Sequence, residues 1–233
     1  MNLIALETAT EACSVALLHG DLLVERFEIA PRRHAELVLP WAEAVLAEAG
    51  LPRSALRAVA VGRGPGAFTG VRLGVSLAQG MALALGIPAI PVSTLAALAM
   101  RADAMEGDRI LAAIDARMGE VYWAAFELRR GLPAPLGKEQ VGPPEQVEID
   151  GEGWHGVGSG FGAQDGALGV RLASRLASVD AWALPHAADT ARLALAAHAR
   201  GEAVAPERLE PAYLRNHVAL TLAEQQALRA GRS

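Results

Sequence analysis

One cysteine, Cys13, and one lysine, Lys138, occur in 233 residues. A lone thiol cannot close an internal disulfide, and without a C-x-x-C pair there is no thiolate zinc site. That usage suits a reducing compartment, and a cytoplasmic location is expected. Scarce lysine also matters, because a Walker A loop ends in G-K-[ST] and the one glycine-rich stretch here contains none. Positive charge is not in excess: 21 basic against 26 acidic residues give a formal charge of −5. No strong field draws in a phosphate backbone or anionic lipid, so unaided nucleic-acid binding is not expected. The first seven residues lack a basic region and end on Glu7, unlike a signal peptide. The longest charge-free run, Leu73 to Met100, matches a membrane span in length, but Gln79, Pro88, Pro91, Ser93 and Thr94 interrupt it. No membrane segment is expected.

What is present is globular: 52% hydrophobic and 20% charged residues. A chain of this size buries roughly 70% of its unfolded surface, enough for a substantial core. Leu3 to Glu7, Ser14 to Leu18 and Leu22 to Ile29 read as an antiparallel meander, the last two joined by His19-Gly20-Asp21. Leu37, Val38, Trp41, Val45 and Leu46 then recur at helical spacing. Ala58 to Val61 is a buried strand, Val71 to Leu85 a helix and Ala89 to Val92 another strand. Ser93 or Thr94 caps a third helix expected to reach about Ala104. Strands restart at Arg109 to Asp115 and Glu120 to Leu128 around Ala116-Arg117-Met118-Gly119, as though a second unit began there. Gly131 to Gly153 reads as a surface loop, Trp154 to Gly158 as a strand and Ala187 to Arg200 as a helix, with a final helix after Pro206.

Chemistry concentrates at Gly62-Arg63-Gly64-Pro65-Gly66-Ala67-Phe68-Thr69-Gly70, between a strand and a helix. Gly62-x-Gly64-x-x-Ala67 satisfies a relaxed dinucleotide fingerprint, but that fold needs an acid about 20 residues on. No Asp or Glu lies between Ala49 and Ala102. The preceding three-strand meander is also wrong for that fold, so a dinucleotide site is not expected, and the glycines suit a tight turn with close helix packing. His19, His34, His155, His186, His198 and His217 are scattered without zincin spacing. Ser14, Ser76, Ser93 and Cys13 stand in no G-x-S-x-G elbow, so no triad is visible. Asp115 and Glu120 flank a hairpin, where charges are normally solvated. Glu7, at the end of the first strand, is the best acidic candidate for metal or phosphate chemistry.

Three segments carry a resemblance: Glu7-Thr8-Ala9-Thr10-Glu11-Ala12-Cys13-Ser14-Val15-Ala16, the glycine stretch through Val71-Arg72, and Pro91-Val92-Ser93-Thr94-Leu95. With Ala113-Ile114-Asp115-Ala116-Arg117-Met118-Gly119-Glu120-Val121-Tyr122 and Pro211-x-Tyr213-Leu214-Arg215, they resemble the TsaB (YeaZ) family over nearly the whole chain. The resemblance implies an α/β, two-lobed actin/Hsp70/sugar-kinase-like fold, each lobe with a mixed sheet flanked by helices. The element order read above agrees with it. The expected division is residues 1–105 and a smaller lobe at 106–233, with the last helix packing back on the first lobe.

The resemblance further implies a part in making threonylcarbamoyladenosine beside the anticodon of tRNAs that read codons beginning with A. There a TsaC protein makes threonylcarbamoyl-adenylate, a TsaD protein transfers the group, a TsaE protein is an ATPase, and TsaB is the non-catalytic partner of TsaD. TsaD carries an H-x-x-x-H metal site where this chain has Ser93-Thr94-Leu95-Ala96-Ala97-Leu98. Neither a catalytic residue nor a metal is therefore expected. Glu7 stands where the family usually has Asp, and Ala67 where serine is commoner; Glu7, Thr8, Gly64 and Gly66 are the candidate nucleotide contacts. No cofactor is expected in isolation, with a nucleotide at the TsaD interface as the alternative place for one. Pairing, as a homodimer or with TsaD, is expected through the first two helices, with Leu37, Val38, Trp41, Val71, Gly74, Val75, Ala78 and Ala82 as candidate interface residues. tRNA is then met through the complex. A phosphotransferase of the same fold, or a metallopeptidase, is the alternative activity.

Overall fold

Period-two burial organises the first sheet. In β1 (Asn2–Glu7) Ile4 and Leu6 point to one face and Leu3 and Ala5 to the other, and all four are fully buried. The structure, a computed structural model, describes residues 1–215. The expected final helix and His217 lie outside the described residues. β1 pairs antiparallel with β2 (Ala12–His19), which pairs with β3 (Leu22–Ile29). It pairs in parallel with β4 (Ala58–Gly62), and β4 with β5 (Ala89–Val92), giving the order β3-β2-β1-β4-β5. Helices α1 (His34–Glu48) and α2 (Phe68–Leu85) cover one face of this sheet. Gly86 ends α2 in the left-handed region, φ 64°, as the sequence punctuation suggests. Among the described residues α2 is the helix long and apolar enough to cross a membrane, yet it lies along the sheet.

The second sheet repeats the plan. β6 (Arg109–Arg117), β7 (Glu120–Arg129) and β8 (Leu132–Pro135) form an antiparallel meander, and β9 (Gln140–Gly142) adds to β7. β10 (Trp154–Val157) runs parallel to β6 and β11 (Leu176–Asp180) parallel to β10. The order β11-β10-β6-β7-β8 is the first sheet's order read from the other edge. Two copies of one mixed-sheet plan make this the two-lobed actin-like fold. β8 and β9 occupy the stretch expected to be a loop. Arg130 and Gly131, both at positive φ (55° and 71°), give the tight turn a hairpin needs, and the prolines of β8 are tolerated on an edge strand. Helix α4 (Ala167–Leu172) and β11 carry no periodic apolar signal; four of the five β11 residues are exposed.

The lobes exchange helices. α3 (Thr94–Ala99), capped by the Ser93 hydroxyl and shorter than expected, follows the first sheet but buries Leu95, Leu98 and Ala99 against Ile110, Ala112, Ile114, Phe126 and Val157 of the second. α5 (Ala187–Ala199) follows the second sheet but lays Ala187, Ala188, Ala191, Ala194 and Ala197 on Leu3, Ala5, Ala16, Leu18, Ala58, Ala60, Ile90 and Val92 of the first. The two helices touch, so the layers run α1/α2, sheet, α5/α3, sheet, α4. The sequence division at 105/106 separates the two sheets, and α3 and α5 each cross it to pack on the other lobe's sheet. The alanine stripe of α5 is smooth enough to lie close on the first sheet.

Candidate functional site

β1 ends on Glu7, and β4 ends opposite it at Gly62, where the chain enters the glycine stretch. Parallel pairing in register, Leu6 with Val61, brings the two strand ends together. Glu7 is 1% exposed. Its Oε1 accepts the Ala9 N–H at 2.9 Å and its Oε2 the Thr94 hydroxyl at 3.3 Å. The same Thr94 oxygen accepts the Gly64 N–H at 3.2 Å, and the Thr94 N–H donates to the Gly64 carbonyl at 3.0 Å. Burial pushes the Glu7 carboxyl up to about 7, against the opposing pull of these hydrogen bonds. Thr94 was expected only as an alternative helix cap. Its position two residues past Val92 was the available signal.

The glycines are spent on the chain itself. A Cβ on Gly62 would overlap the Glu7 carboxylate, one on Gly66 the Ala9 carbonyl, one on Gly70 the Thr8 carbonyl, and one on Gly74 the Thr8 hydroxyl. Gly64 adopts φ 94°, open to glycine and little else, and the Gly64–Pro65 peptide is cis. The N–H groups of Arg63, Gly64 and Ala67 donate to the Val92 carbonyl, Thr94 Oγ1 and the Ala9 carbonyl. Thr8 Oγ1 donates to the Gly70 carbonyl at 2.8 Å. Glu7, Thr8, Gly64 and Gly66 thus come together as the sequence suggests, but as a closed strand-to-helix joint. The carboxylate is sealed, and the loop N–H groups of Arg63, Gly64 and Ala67 are used inside the lobe.

Other candidates disperse. His34 bonds the Thr10 and Ala12 carbonyls at 3.0 and 3.1 Å, and His186 stacks on Phe27 and meets Glu25. Asp115 pairs with Arg117, while Glu120 pairs with Arg215. No three His, Cys, Asp or Glu side chains cluster to hold a metal among the described residues. His155 does stand between Ser178, 2.8 Å from Nδ1, and Asp108, 3.3 Å from Nε2. A catalytic relay uses the two nitrogens the other way round, serine on Nε2 and the acid on Nδ1, and Ser178 sits on an exposed edge strand, where the contact ties β10 to β11. Cys13 is fully buried, and burial followed by the charges of Glu28 and Glu7 pushes its thiol up to about 12. We expect an aromatic disulfide reagent to leave Cys13 unmodified at pH 8 in the folded chain and to titrate one thiol after denaturation.

The chain is similar to known proteins over almost its full length. A family profile described as TsaD, tRNA N6-adenosine threonylcarbamoyltransferase, matches residues 28–152. The tRNA threonylcarbamoyladenosine biosynthesis protein TsaB of Escherichia coli is 43% identical over 231 residues, covering 94% of this chain and 96% of its own length. The chain belongs to the TsaB family. The Haemophilus influenzae TsaB is 36% identical over 230 residues, 94% of this chain and 95% of its own. YeaZ from Pseudomonas aeruginosa superposes with a TM-score of 0.82 at 46% identity, covering 91% of this chain and 99% of that one.

Within this TsaB-family chain the candidate interface residues need correcting. Val38, Val71, Gly74, Val75, Ala78 and Ala82 all face their own sheet, and Leu37 and Trp41 are half-buried against the same core. The helical repeat that buries 71, 74, 75, 78 and 82 turns Ser76, Gly80 and Leu83 outward, beside half-buried Leu73 and Leu77. Leu83 is 52% exposed, and Leu39 on α1 is 46% exposed. Apolar spacing located both helices. It could not say which of two apolar stripes on α2 meets the core, because both are made of small and aliphatic residues.

Proposed function

We propose that this chain is the non-catalytic subunit that docks a TsaD-type transferase in the synthesis of threonylcarbamoyladenosine on tRNA, with a TsaC-type enzyme supplying the adenylate and a TsaE-type ATPase completing the set. The observation that carries this reading is the outward stripe of α2. Ser76, Gly80 and Leu83, flanked by Leu73 and Leu77, form a smooth face of the kind that lets a second helix approach closely. The sealed Glu7 joint supports the assignment of chemistry to the partner, and any nucleotide used by the assembly binds where the partner supplies groups for it. The relatives' names supply the pathway. A formal charge of −5 supports contact with tRNA through the complex. The free chain pairs with itself over the same stripe.

The test mixes the chain with TsaD from the same source and follows co-elution, then tRNA modification with the adenylate and TsaE supplied. Modification is expected to require this chain. Gly80→Arg and Leu83→Glu are expected to weaken the complex at least about thirtyfold while leaving the melting temperature of the free chain within a few degrees. Gly74→Arg is not a fair probe, since even a Cβ there meets the Thr8 hydroxyl. Nucleotide turnover by the isolated chain, with no dependence of modification on it, would replace this reading with the phosphotransferase one.

A further inference from the structure

Two sets of bonds run between the lobes, and both start from Arg63. The first uses its side chain. Arg63 Nη2 lies 3.2 Å from Glu139 Oε2, and the other Glu139 oxygen accepts the Ser93 hydroxyl. Glu139 comes from the second lobe, between β8 and β9, while Arg63 belongs to the glycine stretch of the first. The Glu139 side chain is 15% exposed, so the pair is shielded compared with the ordinary surface pairs of this chain. Ser93 has both hydroxyl roles filled, accepting the Ala96 N–H at 3.1 Å as the α3 cap while donating to Glu139.

The second set uses the Arg63 backbone. Its carbonyl accepts the Ala212 N–H at 2.8 Å, and the next residue, Tyr213, accepts Arg72 Nε at 3.0 Å through its hydroxyl. Two residues later Arg215 donates to the Ala116 carbonyl at 3.2 Å and pairs with Glu120, both at the β6–β7 hairpin of the second lobe. Residues 211–215 are therefore a strap bonded at one end to the first lobe and at the other to the second. This accounts for the Pro211-Ala212-Tyr213-Leu214-Arg215 motif, which docking on α2 leaves unused.

We propose that Glu139 and Arg215 form a two-point clasp that fixes the angle between the two lobes. An anion bridging two lobes holds them together whether it arrives on a ligand or is carried by the chain, and here the chain carries it.

The clasp is tested on the full chain with spin labels at Ser54→Cys in the first lobe and Ala177→Cys in the second. Buried Cys13 does not compete for label. With the labelled chain diluted into excess unlabelled chain, so that pairing between copies adds no distance, the parent is expected to give one narrow distance distribution that Mg2+–ATP leaves unchanged. Glu139→Ala combined with Arg215→Ala is expected to broaden it, with at least half the molecules at longer distances. Each single change gives less, and Glu139→Gln, which keeps shape and loses charge, less than Glu139→Ala. A control pair within the first lobe, Ser54→Cys with Asp21→Cys, both exposed and off the α2 stripe, stays narrow throughout, separating opening from unfolding. A double variant as narrow as the parent, or a parent that narrows when Mg2+–ATP is added, overturns the proposal.

Discussion

Replacing Glu7 by glutamine is expected to abolish a fall in stability that the parent shows as pH rises from about 4.5 to 7. Glu7 is held near 7 in the folded chain and titrates near 4.5 when exposed, so between those values the folded state carries a proton the unfolded state has lost. A carboxyl raised on folding contributes stability that is fully present below its unfolded value and gone above its folded one. The loss is about 3 kcal/mol, a large share of the stability of an ordinary domain. Denaturant melts of parent and Glu7→Gln between pH 4.5 and 8 measure it. The difference between the two curves should slope through this window and flatten above it. A constant difference would mean that the joint admits water and that Glu7 is not sealed.

Gly66→Ala and Gly70→Ala should each destabilise by about 3 kcal/mol, although alanine is the better helix former at position 70. A Cβ at either site meets a backbone carbonyl, of Ala9 or Thr8, and neither can move without breaking the turn after β1. Gly80→Ala, on the same helix, should instead stabilise by about 0.5 to 1 kcal/mol, because nothing stands within 4 Å of its Cβ direction. Thermal melts of the three variants separate a glycine kept for contact from one kept free of it. Equal effects at Gly70 and Gly80 would show that the glycine stretch is open rather than packed.

The sheet skeleton was legible because strands such as Ala58 to Val61 and Leu22 to Ile29 advertise themselves by continuous or alternating apolar residues between turn signals. β11 was not, since Ser178, Val179 and Asp180 follow no such pattern on an exposed edge. The residues of the joint were legible as a group, because Glu7 ends one strand and Gly62 another. Whether they face a ligand or each other was not, since that depends on the Ala9 and Thr8 carbonyls, and backbone atoms leave no mark in sequence. Glu139 was invisible for a similar reason: one glutamate in a Pro- and Gly-rich stretch says nothing of an arginine 76 positions away.

The exchange of α3 and α5 sets an order on how the chain can fold as it is made. The face of the first sheet formed by Leu3, Ala5, Ala16, Leu18, Ala58, Ala60, Ile90 and Val92 has no cover until Ala187 to Ala197 have been synthesised. At about 5 to 20 residues per second, that leaves the emerged N-terminal part of the chain with a bare apolar sheet for roughly 5 to 20 s after Val92 is made. Contacts so distant in sequence also form slowly once the whole chain is free. Neither lobe, cut at 105/106, is a unit of folding: the first would lack its α5 cover and the second the buried leucines of α3. The ribosome-bound chain is the form of this protein with most to gain from a chaperone.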